Sequence, residues 1–152
     1  MEKESGTDPS FVVRPARAGD AKRIALLSHQ LGYPSTADEV RRRLRRIRQD
    51  DRHAVYTAQL SDGEIVGWVH LFLYQTVESE PRTEVGGLVI DEAFRRRGLG
   101  RLLMRCAEEW ALGKGCRLVS LRSNVVRKEA HSFYKRLGYR IAKTQHAFRK
   151  AL

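Results

Sequence analysis

The chain has 152 residues, 41% hydrophobic and 31% charged, which suits one folded domain and excludes a disordered chain. No apolar run approaches the roughly 18 residues of a spanning helix, and the polar opening MEKESGTDPS carries no secretory apolar stretch; a cytoplasmic protein with a loose tail over 1–10 and one domain over 11–152 is expected. Lysine and arginine total 29 against 18 acidic residues, a net charge of +11, which favours an anionic partner without choosing between nucleic acid, an acidic surface and a phosphorylated small molecule.

A short strand is predicted over 11–15, broken by Pro15 and Gly19. Asp20 can cap a helix running through Leu31, because Ile24, Leu27 and Leu31 recur at helical steps. Gly32-Tyr33-Pro34 stops it, and Ser35 or Thr36 opens a second helix through about Gln49, with a narrow stripe of Val40, Leu44 and Ile47. The arginines at 41–43, 45, 46 and 48 read as the solvated side of that helix. They lack the interleaved aromatics of a nucleic-acid platform. Strands follow over 53–59 and 64–74 around the turn Ser61-Asp62-Gly63, then a polar loop with Pro81, then a strand over 83–90. Leu99 to about Lys114 is a helix with Leu99, Leu103, Cys106 and Trp110 on one face, ended by Gly115. The rest reads as a strand over 117–123, a helix over 128–137 stopped by Gly138, and a last strand over 140–148. Early antiparallel strands and late helical crossovers imply one mixed α/β sheet. Cys106 and Cys116 fit no disulfide framework or zinc pattern, and the five histidines show no metal-ligand spacing, so no metal is expected.

The chemistry concentrates in Arg95-Arg96-Arg97-Gly98-Leu99-Gly100-Arg101, between a strand and a strongly amphipathic helix. Glycines there let backbone approach a ligand, the free N–H groups of a helix start favour an anion, and arginine forks suit phosphate. The turn is neither a dinucleotide fingerprint, since residue 103 is Leu, nor a P-loop, since no Gly-Lys-Ser/Thr follows.

The strand Glu84-Val85-Gly86-Gly87-Leu88-Val89-Ile90, followed by Arg95-x-x-Gly98-x-Gly100 and a Leu-rich helix, resembles the acetyl-CoA site of the GNAT N-acetyltransferase superfamily. Ala130-His131-Ser132-Phe133-Tyr134 through Gly138-Tyr139 resembles the same family's Tyr-bearing helix. The stretch from Ser123 to Tyr134 and the ending Phe148–Leu152 resemble bacterial aminoalkylphosphonate N-acetyltransferases. The resemblance implies a single domain with a mixed sheet of six to seven strands and about four helices. It implies an acetyl-CoA-dependent transfer of an acetyl group directly to a primary amine of a small molecule, with coenzyme A as product. A protein or peptide acceptor and a non-catalytic basic nucleic-acid-binding module are the alternatives. No membrane partner is expected, and a homodimer is compatible with the reading.

On this reading Arg95, Arg96, Arg97, Gly98, Leu99, Gly100 and Arg101 cradle the pyrophosphate, and the backbone of Leu88, Val89 and Ile90 holds the pantetheine arm and polarises the thioester. Asn124 and Arg127 are both candidates for a further cofactor contact; Arg127 stands where many relatives have an Asn seven residues before the Tyr. Glu84 is the expected base for the amine, directly or through water, and Tyr134 the acid for the departing thiolate. In a regular strand Glu84, Gly86, Leu88 and Ile90 share one face, and a bulge would change that parity. His131 reads as a structural residue.

Overall fold

Five strands, β1 (Phe11–Pro15), β2 (His53–Leu60), β3 (Ile65–Thr76), β4 (Ser79–Ile90) and β5 (Val119–Leu121), form one sheet in chain order in the computed structural model, which describes residues 11–152. The tail expected over 1–10 lies outside the described residues. β1 to β4 pair antiparallel, and β5 joins β4 in parallel, as the intervening helix α3 (Leu99–Gly113) requires. The chain divides into two compact units, one ending at Leu121 and one spanning Arg122–Leu152. The first holds the sheet, α1 (Ala21–Gln30), α2 (Ala37–Arg48) and α3; the second holds α4 (Lys128–Arg136).

Alternation along the strands sorts the first unit into two layers. Ala16, Ala21, Ile24, Ala25, Val40 and Leu44 form one cluster with α1 and α2, and Trp68 and Val55 of the sheet pack against it. On the opposite face Gly67 of β3 lies against Leu103 of α3 and Ile90 of β4. Thr36, rather than Ser35, caps α2, accepting the Glu39 N–H at 3.1 Å. Val40 and Leu44 are buried while Arg41, Arg42, Arg43, Arg45, Arg46 and Arg48 are exposed, which is the solvated face that the arginine run implied.

Asp20 precedes α1 without capping it. Its carboxylate instead takes a fork from Arg14 at 2.8 and 2.9 Å and the Arg17 N–H at 2.7 Å. Burial alone would raise the Asp20 pKa; those donors outweigh it and hold the carboxyl below its usual value. The face of α3 is also shifted from expectation. Leu99, Leu103, Met104, Ala107 and Ala111 are buried, whereas Cys106 and Trp110 are half-buried at its flank. The two alanines let the helix lie close to the sheet, and the bulky indole stays at the rim, 5.6 Å from the Lys114 ammonium.

Two further expectations are corrected. β4 begins at Ser79, so Pro81 lies in the strand rather than in a loop; it sits at an irregularity between the pairs Tyr74↔Arg82 and Thr76↔Ser79, where a missing N–H costs no ladder bond. The sheet has five strands, not six or seven, because 140–152 carry neither helix nor strand. The apolar members of that run, Ile141 and Phe148, are exposed, and a strand needs a ladder partner to persist. Cys106 and Cys116 are both free thiols, and burial with the nearby Glu109 pushes the Cys106 thiol up to about 11.

Candidate active site

β4 pairs with β5 only at Thr83↔Val119, Glu84↔Ser120 and Val85↔Leu121, and then continues five residues further, to Ile90. Asp91 donates its N–H to the Val66 carbonyl of β3 at 2.8 Å. By the alternation of strand backbone, the N–H groups of Leu88 and Ile90 point the other way, to the edge that β5 has left. The Ile90 carbonyl points there too and accepts from Arg95 Nε at 3.2 Å. Of the three residues expected to hold the pantetheine arm, Leu88 and Ile90 therefore offer backbone donors on that edge, while Val89 turns its N–H to β3.

Asp91 then accepts from the Ala93 N–H and pairs with Arg23, whose Nε also donates to the Ile65 carbonyl at 2.7 Å. Gln30 accepts the Glu92 N–H at 3.1 Å. Two α1 side chains thus fix the start of the arginine turn. Within it Arg96 has φ 64° and Gly98 φ 82°, both left-handed. That conformation costs a non-glycine residue roughly 1–2 kcal/mol. A Cβ at Gly98 would meet nothing within 4 Å, so the backbone angle and not crowding asks for glycine there. Gly98 supplies no side-chain cap to α3, and the first helical bond runs from Leu102 N–H to the Gly98 carbonyl at 3.0 Å. The N–H groups of Leu99, Gly100 and Arg101 have no helical partner and present the positive end of the helix. Arg97 lies over the Phe94 ring at 5.1 Å, and Arg95, Arg96, Arg97 and Arg101 are all exposed. A left-handed, uncapped, arginine-rimmed turn beside an open strand edge fits a pyrophosphate on an extended arm.

Glu84 is buried at 5% exposure, on the face of the sheet that carries α1 and α2. Its carboxylate accepts from the Ser120 hydroxyl at 3.2 Å, and Arg82 lies 3.9 Å away. Arg82 in turn donates to Ser120 at 2.9 Å and stacks 4.1 Å over the Tyr74 ring. The expected parity fails at a bulge. Leu71 pairs with Val85 and His70 with Gly87, leaving Gly86 unmatched. Glu84 shares its face with Gly86, Gly87 and Val89, whereas Leu88 and Ile90 face α3. A Cβ at Gly87 would stand 2.7 Å from the Trp68 ring, and one at Gly86 would stand 3.0 Å from His70 Nδ1.

In the second unit Asn124 builds the entry to α4. Its side-chain oxygen accepts the Val126 N–H at 3.1 Å and its carbonyl holds a His131 ring nitrogen at 2.9 Å. His131 is accordingly structural. The Arg127 side chain is exposed. Tyr134 makes edge contacts with Phe133 and Tyr139 at 5.1 and 6.1 Å. Burial raises its pKa against an opposing pull from Arg127, so the phenol keeps its proton at neutral pH.

Sequence reasoning missed Arg82, Ser120, and the pair His53 and His70. A register count outward from the Ser61–Gly63 turn was the one available signal for the histidines, and the irregularity at Ala58/Gln59 shifts that count by one.

A model of the acetyltransferase (GNAT) family matches residues 22–139. The chain is 31% identical to an aminoalkylphosphonate N-acetyltransferase of Salmonella typhimurium, covering 100% of this chain and 98% of that protein. It is 29% identical to an aminoglycoside N(6')-acetyltransferase type 1 of Stenotrophomonas maltophilia, over 84% of each. Among solved structures, AAC(6')-Iy in complex with the bisubstrate analog CoA-S-monomethyl-acetylneamine superposes with a TM-score of 0.82 at 21% identity, covering 93% of this chain and 99% of that one. Glucosamine-6-phosphate N-acetyltransferase from Arabidopsis thaliana gives 0.80 at 23% identity over 91% and 97%. Such identities speak for the fold.

Proposed function

Since the chain belongs to the acetyltransferase (GNAT) family, we propose that its working parts are the arginine turn with the open edge of β4, and the sheet face around Glu84. The protein is an acetyl-CoA-dependent N-acetyltransferase of small-molecule amines. The observation that carries the placement is the left-handed, uncapped turn at 96–98 beside the strand edge that β5 leaves.

Bound acetyl-CoA supplies an activated acetyl group. Leu99, Gly100 and Arg101 N–H groups with Arg95, Arg96 and Arg97 would hold its pyrophosphate, and the N–H groups of Leu88 and Ile90 would hold the arm and polarise the thioester. Arg127, an exposed cation, and Asn124, whose side-chain oxygen accepts from Val126 while its amide keeps N–H donors to offer, are the two further contacts. An alkylammonium has a pKa of about 10.4, so the amine must lose a proton; Glu84, fixed by Ser120 and Arg82, takes it directly or through water. Tyr134, assigned by the resemblance of its helix and held protonated, is the donor to sulfur.

The acceptor is a primary amine carrying an anionic group, such as an aminoalkylphosphonate. Two things support this: the full-length similarity to an enzyme of that name, and a face whose carboxylate already has an arginine beside it, in a chain of net charge +11. A polycationic amine would meet repulsion there. The family match crosses the boundary between the two units, which supports reading 11–152 as one acetyltransferase domain. Among the described residues no helix is long and apolar enough to cross a membrane, and two free thiols suit the cytoplasm.

The test is coenzyme A release with 2-aminoethylphosphonate against an aminoglycoside, beside a calorimetric acetyl-CoA titration. Turnover with the phosphonate is expected. Preference for the aminoglycoside would overturn the acceptor class, and absent acetyl-CoA binding would overturn the site.

A further inference from the structure

His53 at the start of β2 and His70 in β3 meet on the same face as Glu84, with His53 Nδ1 3.0 Å from His70 Nε2, the ring centroids 5.2 Å apart and the ring planes 17° from parallel. We propose that His70 and His53 form a proton relay that carries the acceptor amine's proton, once Glu84 has taken it, from the gap at Gly86 to solvent beside Asp50. The inference rests on the reading of this face as the acceptor side.

Each end of the relay has a structural address. Inward, a Cβ at Gly86 would come within 3.0 Å of His70 Nδ1 and 3.2 Å of the Phe72 ring; Gly86 is exposed, so its missing side chain uncovers that nitrogen. The bulge that creates the gap lies two residues from Glu84. Outward, His53 Nε2 lies 3.9 Å from Asp50 Oδ2. Arg52 binds Asp50 at 3.0 and 3.1 Å and holds its carboxyl down at about 2, so the exit is anionic at any physiological pH. Phe72 stacks on His53 at 5.6 Å and limits how the rings can turn. Arg82 and Glu84 of β4, Tyr74 of β3, and Arg14 of β1 with its partner Asp20 are further charged and titratable groups of this face.

Proton accounting closes without any other reactant. His70 begins protonated on Nε2, donating to His53 Nδ1, and His53 begins protonated on Nε2. A proton arriving at His70 Nδ1 is matched by one passing from His70 Nε2 to His53 Nδ1 and by one leaving His53 Nε2 to Asp50 or water. The net change is one proton from amine to solvent, and the starting tautomers return when the ring nitrogens exchange protons with water. Burial, then the neighbouring His53, lowers the His70 pKa to about 4, so His70 does not retain the proton it receives.

His53→Ala opens an imidazole-sized space at the outer end. The expected result is a kcat about tenfold or more below wild type, an unchanged acetyl-CoA Kd, and recovery that grows with added imidazole. A packing role predicts no such rescue. His53→Gln keeps a hydrogen bond and most of the volume but relays nothing, and should show the same loss. Full kcat in folded H53Q, or an H53A defect that imidazole does not restore, overturns the relay. Nitrogen NMR of the wild-type protein decides independently of any acceptor. It should show His70 protonated at Nε2 and coupled to His53 Nδ1; a proton on His70 Nδ1 overturns the proposal even where turnover of a phosphonate is absent and the acceptor reading has failed by itself.

Discussion

The two ends of β4 are built from different materials. Beyond Gly86 the strand offers backbone: N–H groups on an open edge, then a turn whose left-handed angles at Arg96 and Gly98 expose a helix start. Before Gly86 it offers side chains: Glu84, Arg82, and their partners Ser120 and Tyr74 from two other strands. Backbone recognition is indifferent to most substitutions and vulnerable to a few, whereas a side-chain site can be altered group by group. The first end suits a fixed ligand and the second a variable one.

The largest effect should come at the backbone end. Gly98→Glu places negative charge in the proposed phosphate cradle, and acetyl-CoA affinity should fall by about 100-fold or more, about 2.7 kcal/mol. Gly98→Ala separates strain from charge, because its Cβ has open space. If calorimetry finds both variants equal, the turn acts through its shape alone and not through its field. Tyr134→Phe tests the acid in the second unit. Single-turnover rates should drop by about 100-fold, and full activity would leave Tyr134 a packing residue. At the side-chain end, Glu84→Gln should slow turnover by about tenfold near neutral pH. The deficit should narrow as pH rises and free amine accumulates, while acetyl-CoA affinity stays put; a wild-type pH–rate profile would remove the role. The smallest effect on turnover belongs between the two ends. Gly87→Ala presses on the Trp68 ring and should cost about 1–3 kcal/mol in urea unfolding, with the active site still titratable by acetyl-CoA.

That contrast also explains what was legible. The arginine turn could be read because its requirement is local: consecutive residues, one helix start, two glycines. Glu84 could be named from its position in a strand, but its companions could not. Arg82, Ser120, Tyr74 and His70 reach this face only through pairings across β3, β4 and β5. Parity failed at Gly86 because one unmatched residue inverts every later side chain. Strand limits slipped where hydrogen-bond partners decide them: β4 starts early because β3 is there to pair with it, and 140–148 forms no strand despite its apolar Ile141 and Phe148. Helix starts and stops, written in Thr36, Gly115 and Gly138, were read to within a residue or two.

The unmatched Gly86 works as a phase joint. Removing it would swing Leu88 and Ile90 toward Trp68 and drive Val89 into the layer of Leu103, scrambling both halves of the strand at once. Keeping it lets residues 79–85 drift in identity while the segment beyond keeps its ladder to β3 and its free edge. On the proposed reading, acceptor preference and acetyl-donor binding thereby become separately heritable properties of one continuous strand.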